Sequence, residues 1–202
     1  MWRIGAFLAL CVVLSPAFGE SPQPFFRGYL TRGAANDLLF SPDGRYLIVA
    51  TSNGIDFLDA QTFQPTRHLL SGKNVWELDI PNDGLLLAGL ILLGERRDVA
   101  LWRLSGDELK EVLMLRDVQG QMTLSPDGSK FAVPEGGSVS MWDTSSGKLI
   151  GNLGIKFRIS DMSFSPDGKY LAVLSSSHRV EIWNVSAGEV ATRIQGGGIR
   201  HI

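Results

Sequence analysis

The chain has 202 residues, 44% of them hydrophobic and 20% charged, with a formal net charge of −2. That length and apolar content can bury one sizeable core, and the near-neutral balance excludes the overall polycationic character of a nucleic-acid binder. The 23 glycines and 9 prolines, set among short apolar runs, point to a turn-rich all-β protein.

Residues 1–19 read as a secretory signal. Arg3 supplies the short basic region, an apolar run extends from Ile4 to Leu14, and Ala17 and Gly19 are the small residues of a cleavage site. The apolar run is too short to span a bilayer, so no membrane span is expected after cleavage. A lipoprotein reading through Cys11 is weak, because Leu10 stands where a small residue is needed. Cys11 is the only cysteine and leaves with this segment. The mature chain is then without disulfide, thiolate nucleophile or cysteine-bound metal, and a periplasmic or extracellular location follows.

A repeat occupies most of what remains. "FSPDGRYLIVA" begins at Phe40, "IPNDGLLLAGL" at Ile80, "LSPDGSKFAVP" at Leu124 and "FSPDGKYLAVL" at Phe164. Their aspartates are spaced 40, 44 and 40 residues apart. A second mark follows 15 to 19 residues later, at Leu58, Trp102, Trp142 and Trp183. A third, a turn near Gly106, Gly147 and Gly188, closes three of the four units.

The first mark has the chemistry of a tight turn. Proline presets φ, the aspartate side chain bonds nearby amides, and glycine accepts positive φ. The pairs Asp43-Gly44, Asp83-Gly84, Asp127-Gly128 and Asp167-Gly168 therefore mark the joint between two antiparallel strands. A calcium loop would need further alternating acidic ligands, which no unit supplies. Each unit parses as four short strands, a to d; in the fourth they fall near 159–164, 169–174, 179–184 and 189–194. The wholly apolar stretch 85–94 is half the length of a membrane helix and reads as a strand buried on both faces.

Four-stranded units of this period, with a Trp-Asp-like pair ending the third strand, resemble the WD40-type β-propeller family. The best match is "MSFSPDGKYLAVLSSSHRVEIWNVSAGEV" at 162–190, and Trp142-Asp143 is a true Trp-Asp pair. No Gly-His pair precedes strand a, and Leu58-Asp59 and Trp102-Arg103 replace the mark in two units. The family's Asp-His-Ser-Trp network is therefore not expected, and the chain resembles a divergent bacterial member. The resemblance implies an all-β fold of propeller blades, acting as a protein-interaction scaffold without cofactor.

The expected organisation is the signal at 1–19, a segment at 20–35, and blades near 36–74, 75–118, 119–158 and 159–196. Residues 25–30 offer a ring-closing strand, and 197–202 begin a fifth repeat. Closed rings of this family usually have more blades than four, so a longer chain or association between chains is expected to supply the rest. A fragment is the preferred reading of the two.

No sequence constellation points to catalysis. "GGSVS" at 136–140 lacks the last glycine of a nucleophile elbow, no phosphate loop occurs, and the histidine spacing suits no zinc site. The alternative, an enzymatic propeller of lactonase type, would need convergent acids and histidines on the strands a. Those strands offer Asn36, Asp37, Glu77, Asp79 and Asp161 but no histidine. Asn184-Val185-Ser186 is a formal glycosylation sequon overlapping the strand-c mark. The tryptophans, Trp76 included, read as blade packing rather than as a stacking platform. Alternate loops of a meander emerge on opposite rims. The a–b and c–d turns carry more acid than base, whereas the b–c and d–a loops hold Lys73, Arg96, Arg97, Lys156, Arg158 and His178. These six are the candidate contacts for an anionic protein partner. Intact-mass analysis of the exported protein should find its first residue at Glu20, and retention of residues 1–19 would contradict export.

Overall fold

A computed structural model describes residues 31–195 apart from 106, 107, 119, 136 and 178. The signal segment, the 25–30 strand, Gly106, His178 and the start of the fifth repeat lie outside the described residues. Blade one comprises β1 (Ala35–Phe40), β2 (Tyr46–Thr51), β3 (Gly54–Asp59) and β4 (Pro65–Leu69). Blade two holds β5 (Asn74–Asp79), β6 (Leu86–Leu93), β7 (Arg96–Ser105) and β8 (Glu108–Leu115). Blade three holds β9 (Thr123–Leu124), β10 (Lys130–Glu135), β11 (Ser138–Asp143) and β12 (Lys148–Leu153). Blade four holds β13 (Ile159–Phe164), β14 (Tyr170–Ser175), β15 (Arg179–Asn184) and β16 (Glu189–Gln195). Each is an antiparallel meander with its strands in chain order. Among the described residues no helix is long and apolar enough to cross a membrane.

The blades stack because each middle strand is apolar on both sides. In β6, Leu87 and Ile91 join a core cluster with Ile48, Phe57 and Val75, while Leu86, Ala88 and Leu90 join another with Met122, Phe131 and Val133. Alternation along a strand sends neighbours to opposite faces, so β6 is covered by blade one on one side and blade three on the other. The third strands turn their marks toward the preceding blade: Trp102 into the first cluster, Trp142 against the second, Trp183 into the third. Leu58 lies with Leu47 and Val49 on the face of blade one turned away from blade two. Fully burying side chains of this size stabilises by roughly 1.5–3 kcal/mol each.

One strand is shorter than expected. Strand a of blade three, read at 119–124, is reduced to Thr123–Leu124, pairing only with Ala132 and Phe131. Pro134 stands where the ladder would continue; it has no N–H to donate, and its ring approaches within 3.1 Å of where a β-carbon on Gly120 would sit. Gly120 accordingly takes a φ of 118°.

The a–b turns close as their composition requires. Gly44, Gly84, Gly128 and Gly168 have φ of 70°, 67°, 68° and 68°. Each glycine N–H donates to the carbonyl three residues back, on Ser41, Pro81, Ser125 and Ser165. The turns also touch from blade to blade. A β-carbon placed on Gly84 would lie 3.5 Å from Pro42, one on Gly128 3.2 Å from Pro81, and one on Gly168 3.9 Å from Pro126. The Asn82 N–H donates to the Pro126 carbonyl at 3.0 Å, binding blade two to blade three along the same row.

Candidate functional site

The two rims are built from different chemistry. On the a–b side, the serine hydroxyls of Ser41, Ser125 and Ser165 each donate to the turn aspartate at 2.6 Å. The same serine oxygens accept from the N–H of Tyr46, Lys130 and Tyr170. Blade two has Pro81 at the serine position, so Asp83 keeps only the amide bond, from Leu85 at 2.9 Å. The c–d turns of blades one, three and four use the residue after the strand-c mark. Asp59 Oδ1 accepts from the amides of Gln61 and Thr62, Asp143 Oδ1 from that of Ser146, and Asn184 Oδ1 from those of Ser186 and Ala187. That is the work of the aspartate in the Trp-Asp pair, which the motif alone did not disclose.

These bonds favour the ionised carboxylate. The Ser41 hydroxyl, the Arg45 amide and the Arg45 side chain hold Asp43 at about 2; hydroxyls and an amide hold Asp127 and Asp143 at about 2 as well. Asp59 and Asp167 are lowered by the same kind of bonding, chiefly from Thr62 and Ser165. The rim is thus an acidic surface whose carboxylates are occupied in closing turns.

The opposite rim carries the predicted partner residues, in three groups. Lys73 is exposed in the linker between blades one and two, where its N–H closes a turn onto Leu70. Arg96 and Arg97 are exposed at the β6–β7 hairpin. Arg96 is spent on the buried Asp98, with Nε and carboxylate 3.0 Å apart, and the Arg97 carbonyl accepts from Val118 N–H. Lys156 and Arg158 stand exposed on the linker between blades three and four. That linker lies between two depressions. An open one is lined by Gly137, Ile155, Lys156, Phe157 and Arg158; a cleft of about 270 Å³ is lined by Gly154, Lys156, Phe157, Arg179, Glu181, Trp183 and Arg193. The structure thus brings Lys156 and Arg158 together with Arg179 of the same rim and adds Arg193, which residue spacing did not join to them.

Of the polar residues of the strands a, Asn36, Asp37 and Asp79 bond to the backbone of the next blade. Asp37 accepts from the amides of Leu38 and Leu78, and Asp79 from those of Ile80 and Leu124. Asn36 donates to the Val75 carbonyl at 2.7 Å, and Asp161 accepts from Met162 N–H. The bonds from Asn36, Asp37 and Asp79 are stitches between inner strands, and Asp161 bonds within its own strand. Trp76 departs from the packing role expected of it: β5 is irregular between Val75 and Glu77, and the indole is 49% exposed. Unforeseen too is the pair of Asp56 and His68, almost fully buried and joined at 2.7 Å between β3 and β4. It is not the loop histidine network of the resembled family.

Four-stranded meanders whose inner strands lie side by side and whose facing sheets pack on one another define the blades of a β-propeller. The comparisons carry this further. The family model "WD domain, G-beta repeat" matches residues 147–184. Autophagy-related protein 16 of Arabidopsis thaliana is 37% identical over 70 residues, 34% of this chain and 14% of that protein. Among solved structures, the β-propeller domain of Cps50 (Swd1) from Myceliophteria thermophila superposes with a TM-score of 0.67 at 19% identity, covering 83% of this chain and 56% of that one. Hydrazine synthase of Kuenenia stuttgartiensis gives 0.65 at 20% identity, covering 82% and 52%. The chain therefore spans about half the length of these structures, and identities this low bear on fold alone. The superpositions make the fold that of a β-propeller, and residues 147–184 resemble a WD40 repeat.

The turn carboxylates also set an acid limit. A carboxyl whose pKa is depressed in the fold stabilises it fully above the unfolded value, about 3.9, and loses that contribution as pH falls through the folded value. With Asp43, Asp127 and Asp143 at about 2, the melting temperature should be level near neutral pH and fall between about pH 4 and 2. Calorimetry of the combined Asp43→Asn, Asp127→Asn and Asp143→Asn variant should show a shallower fall. An identical acid dependence would contradict the assignment.

Proposed function

We propose that the chain is a non-catalytic interaction scaffold working outside the cytoplasm, and that its b–c/d–a rim receives an anionic surface of a partner protein. The observation that carries this is the rim between blades three and four. There Lys156, Arg158 and Arg179 are exposed, and among the described residues none of the three is paired with an acid. The linker and strand that present them are anchored by bonded backbone, Ser176 N–H to the Arg158 carbonyl and Arg179 N–H to the Ser175 hydroxyl. Cations held on a fixed frame and left uncompensated raise the encounter rate with an opposite charge more than they lengthen the bound state. The acidic turn rim offers no such surface, since its carboxylates already accept bonds from their own turns. The export half of the reading rests on the apolar segment after Arg3 and its small-residue cleavage pattern.

The rim can be tested on a partner recovered by affinity capture. Association measured by surface plasmon resonance should slow by about tenfold or more for Lys156→Glu with Arg158→Glu. Reversal of Lys130 and Lys169, on the turn rim, should leave it unchanged. Equal loss from both pairs, or loss only from the second, would overturn the rim assignment.

A further inference from the structure

The same cross-strand position differs sharply among three blades. Where the third and fourth strands face each other beside the bulge, blade two has Ala100 opposite Met114, blade three Ser140 opposite Asn152, and blade four Glu181 opposite Arg193. In blade two Ala100 and Met114 join the cluster around Trp102, and packing closes the seam against blade one. In blade three the Ser140 hydroxyl lies within hydrogen-bonding distance of Asn152 Oδ1 and Glu135 Oε2, at 2.9 and 2.7 Å. Blade four is different. The Glu181 carboxylate, with its side chain only 8% exposed, accepts from Arg193 Nε at 2.8 Å and from Trp183 Nε1 at 3.2 Å. The seam against blade three stays open as the 270 Å³ cleft.

We propose that this seam cleft receives the carboxylate side chain of an acidic peptide segment from the partner, a refinement that rests on the rim reading above. Arg193 is committed to Glu181, but Lys156 and Arg179 also reach the cleft, and no described acid pairs with either. The Arg179 guanidinium sits 6.0 Å from the centroid of the Phe157 ring, at the cleft both side chains line. An entering carboxylate meets that guanidinium and the Lys156 ammonium, a charge-assisted geometry that suits a planar anion. Its aliphatic stem meets Phe157 and Trp183. The cleft is smaller than the roughly 300–1,000 Å³ of small-molecule sites, and its size suits one side chain.

The experiment uses the full chain and fluorescence anisotropy. The probe is a labelled peptide of alternating glutamate and leucine with an amidated C-terminus; its controls are a glutamine–leucine peptide with a free C-terminus and an oligothymidylate. The glutamate peptide should bind, and Lys156→Glu with Arg179→Glu should weaken it by more than about tenfold. Circular dichroism melting confirms that this variant is folded. Glu181→Ala with Arg193→Met, which copies the closed seam of blade two, should abolish binding with the rim cations intact. Arg96→Glu with Arg97→Glu should leave it unchanged. Binding that survives the Lys156 and Arg179 reversals would overturn the seam assignment. So would equal or tighter binding of the glutamine peptide through its terminus, or tighter binding of the oligothymidylate. Failure of the wild-type chain to bind the glutamate peptide would overturn the seam alone, since the rim reading is decided by the association kinetics of the captured partner.

Discussion

The contact between a proline in one turn and a glycine in the turn of the next blade recurs at each junction and aligns the turns of successive sheets along one rim. Pro42 meets Gly84, Pro81 meets Gly128 and Pro126 meets Gly168. All three glycines hold a left-handed backbone that favours glycine, and at Gly128 the Pro81 ring also lies 3.2 Å from where a side chain would begin, closer than ordinary contact. With the turn rim drawn together in this way, Leu87 and Ile91 meet blade one while Leu86 and Leu90 meet blade three. The sheets cannot bury both apolar faces unless they stack, and the row of turns holds one edge of the stack in register.

The two rims consequently do different things. The turn rim is closed by proline–glycine contacts, and its carboxylates are consumed by serine hydroxyls and by the amides of their own turns. The opposite rim is spanned by the linkers between blades, whose spacing follows the side chains beneath them. Where Ala100 and Met114 lie beneath, the seam packs shut; where Glu181 and Arg193 lie beneath, it opens. The cross-strand pair at this position thus differs between the packed seam of blade two and the cleft of blade four. Function on such a fold resides in the linkers and in the pairs that support them.

Much of the fold was legible in the sequence because its signals are local. Ser-Pro-Asp-Gly encodes a turn within four residues, and strict apolar runs such as 86–93 encode burial on both faces. The four strands of the fourth unit fall within one residue of where those signals put them. Partners distant in sequence were hidden. Strand a of blade three is cut short by Pro134, which is recognisable as its neighbour only once β10 is paired. The exposure of Trp76 follows from an irregularity in β5 that no residue type announces. The cleft combines residues from 154–157, 179–183 and 193, and Arg193, on a fourth strand, carried no signal of its place there. The aspartate of the Trp-Asp pair was visible as a mark, yet its task of capping the c–d turn needed the backbone amides to be placed.

The most direct test of this account is a proton–proton nuclear Overhauser spectrum of the isotopically labelled chain. Cross-peaks should join the α-protons of Gly84, Gly128 and Gly168 to the ring protons of Pro42, Pro81 and Pro126. Spectra that show the contacts within each turn but none of those three between blades would contradict it.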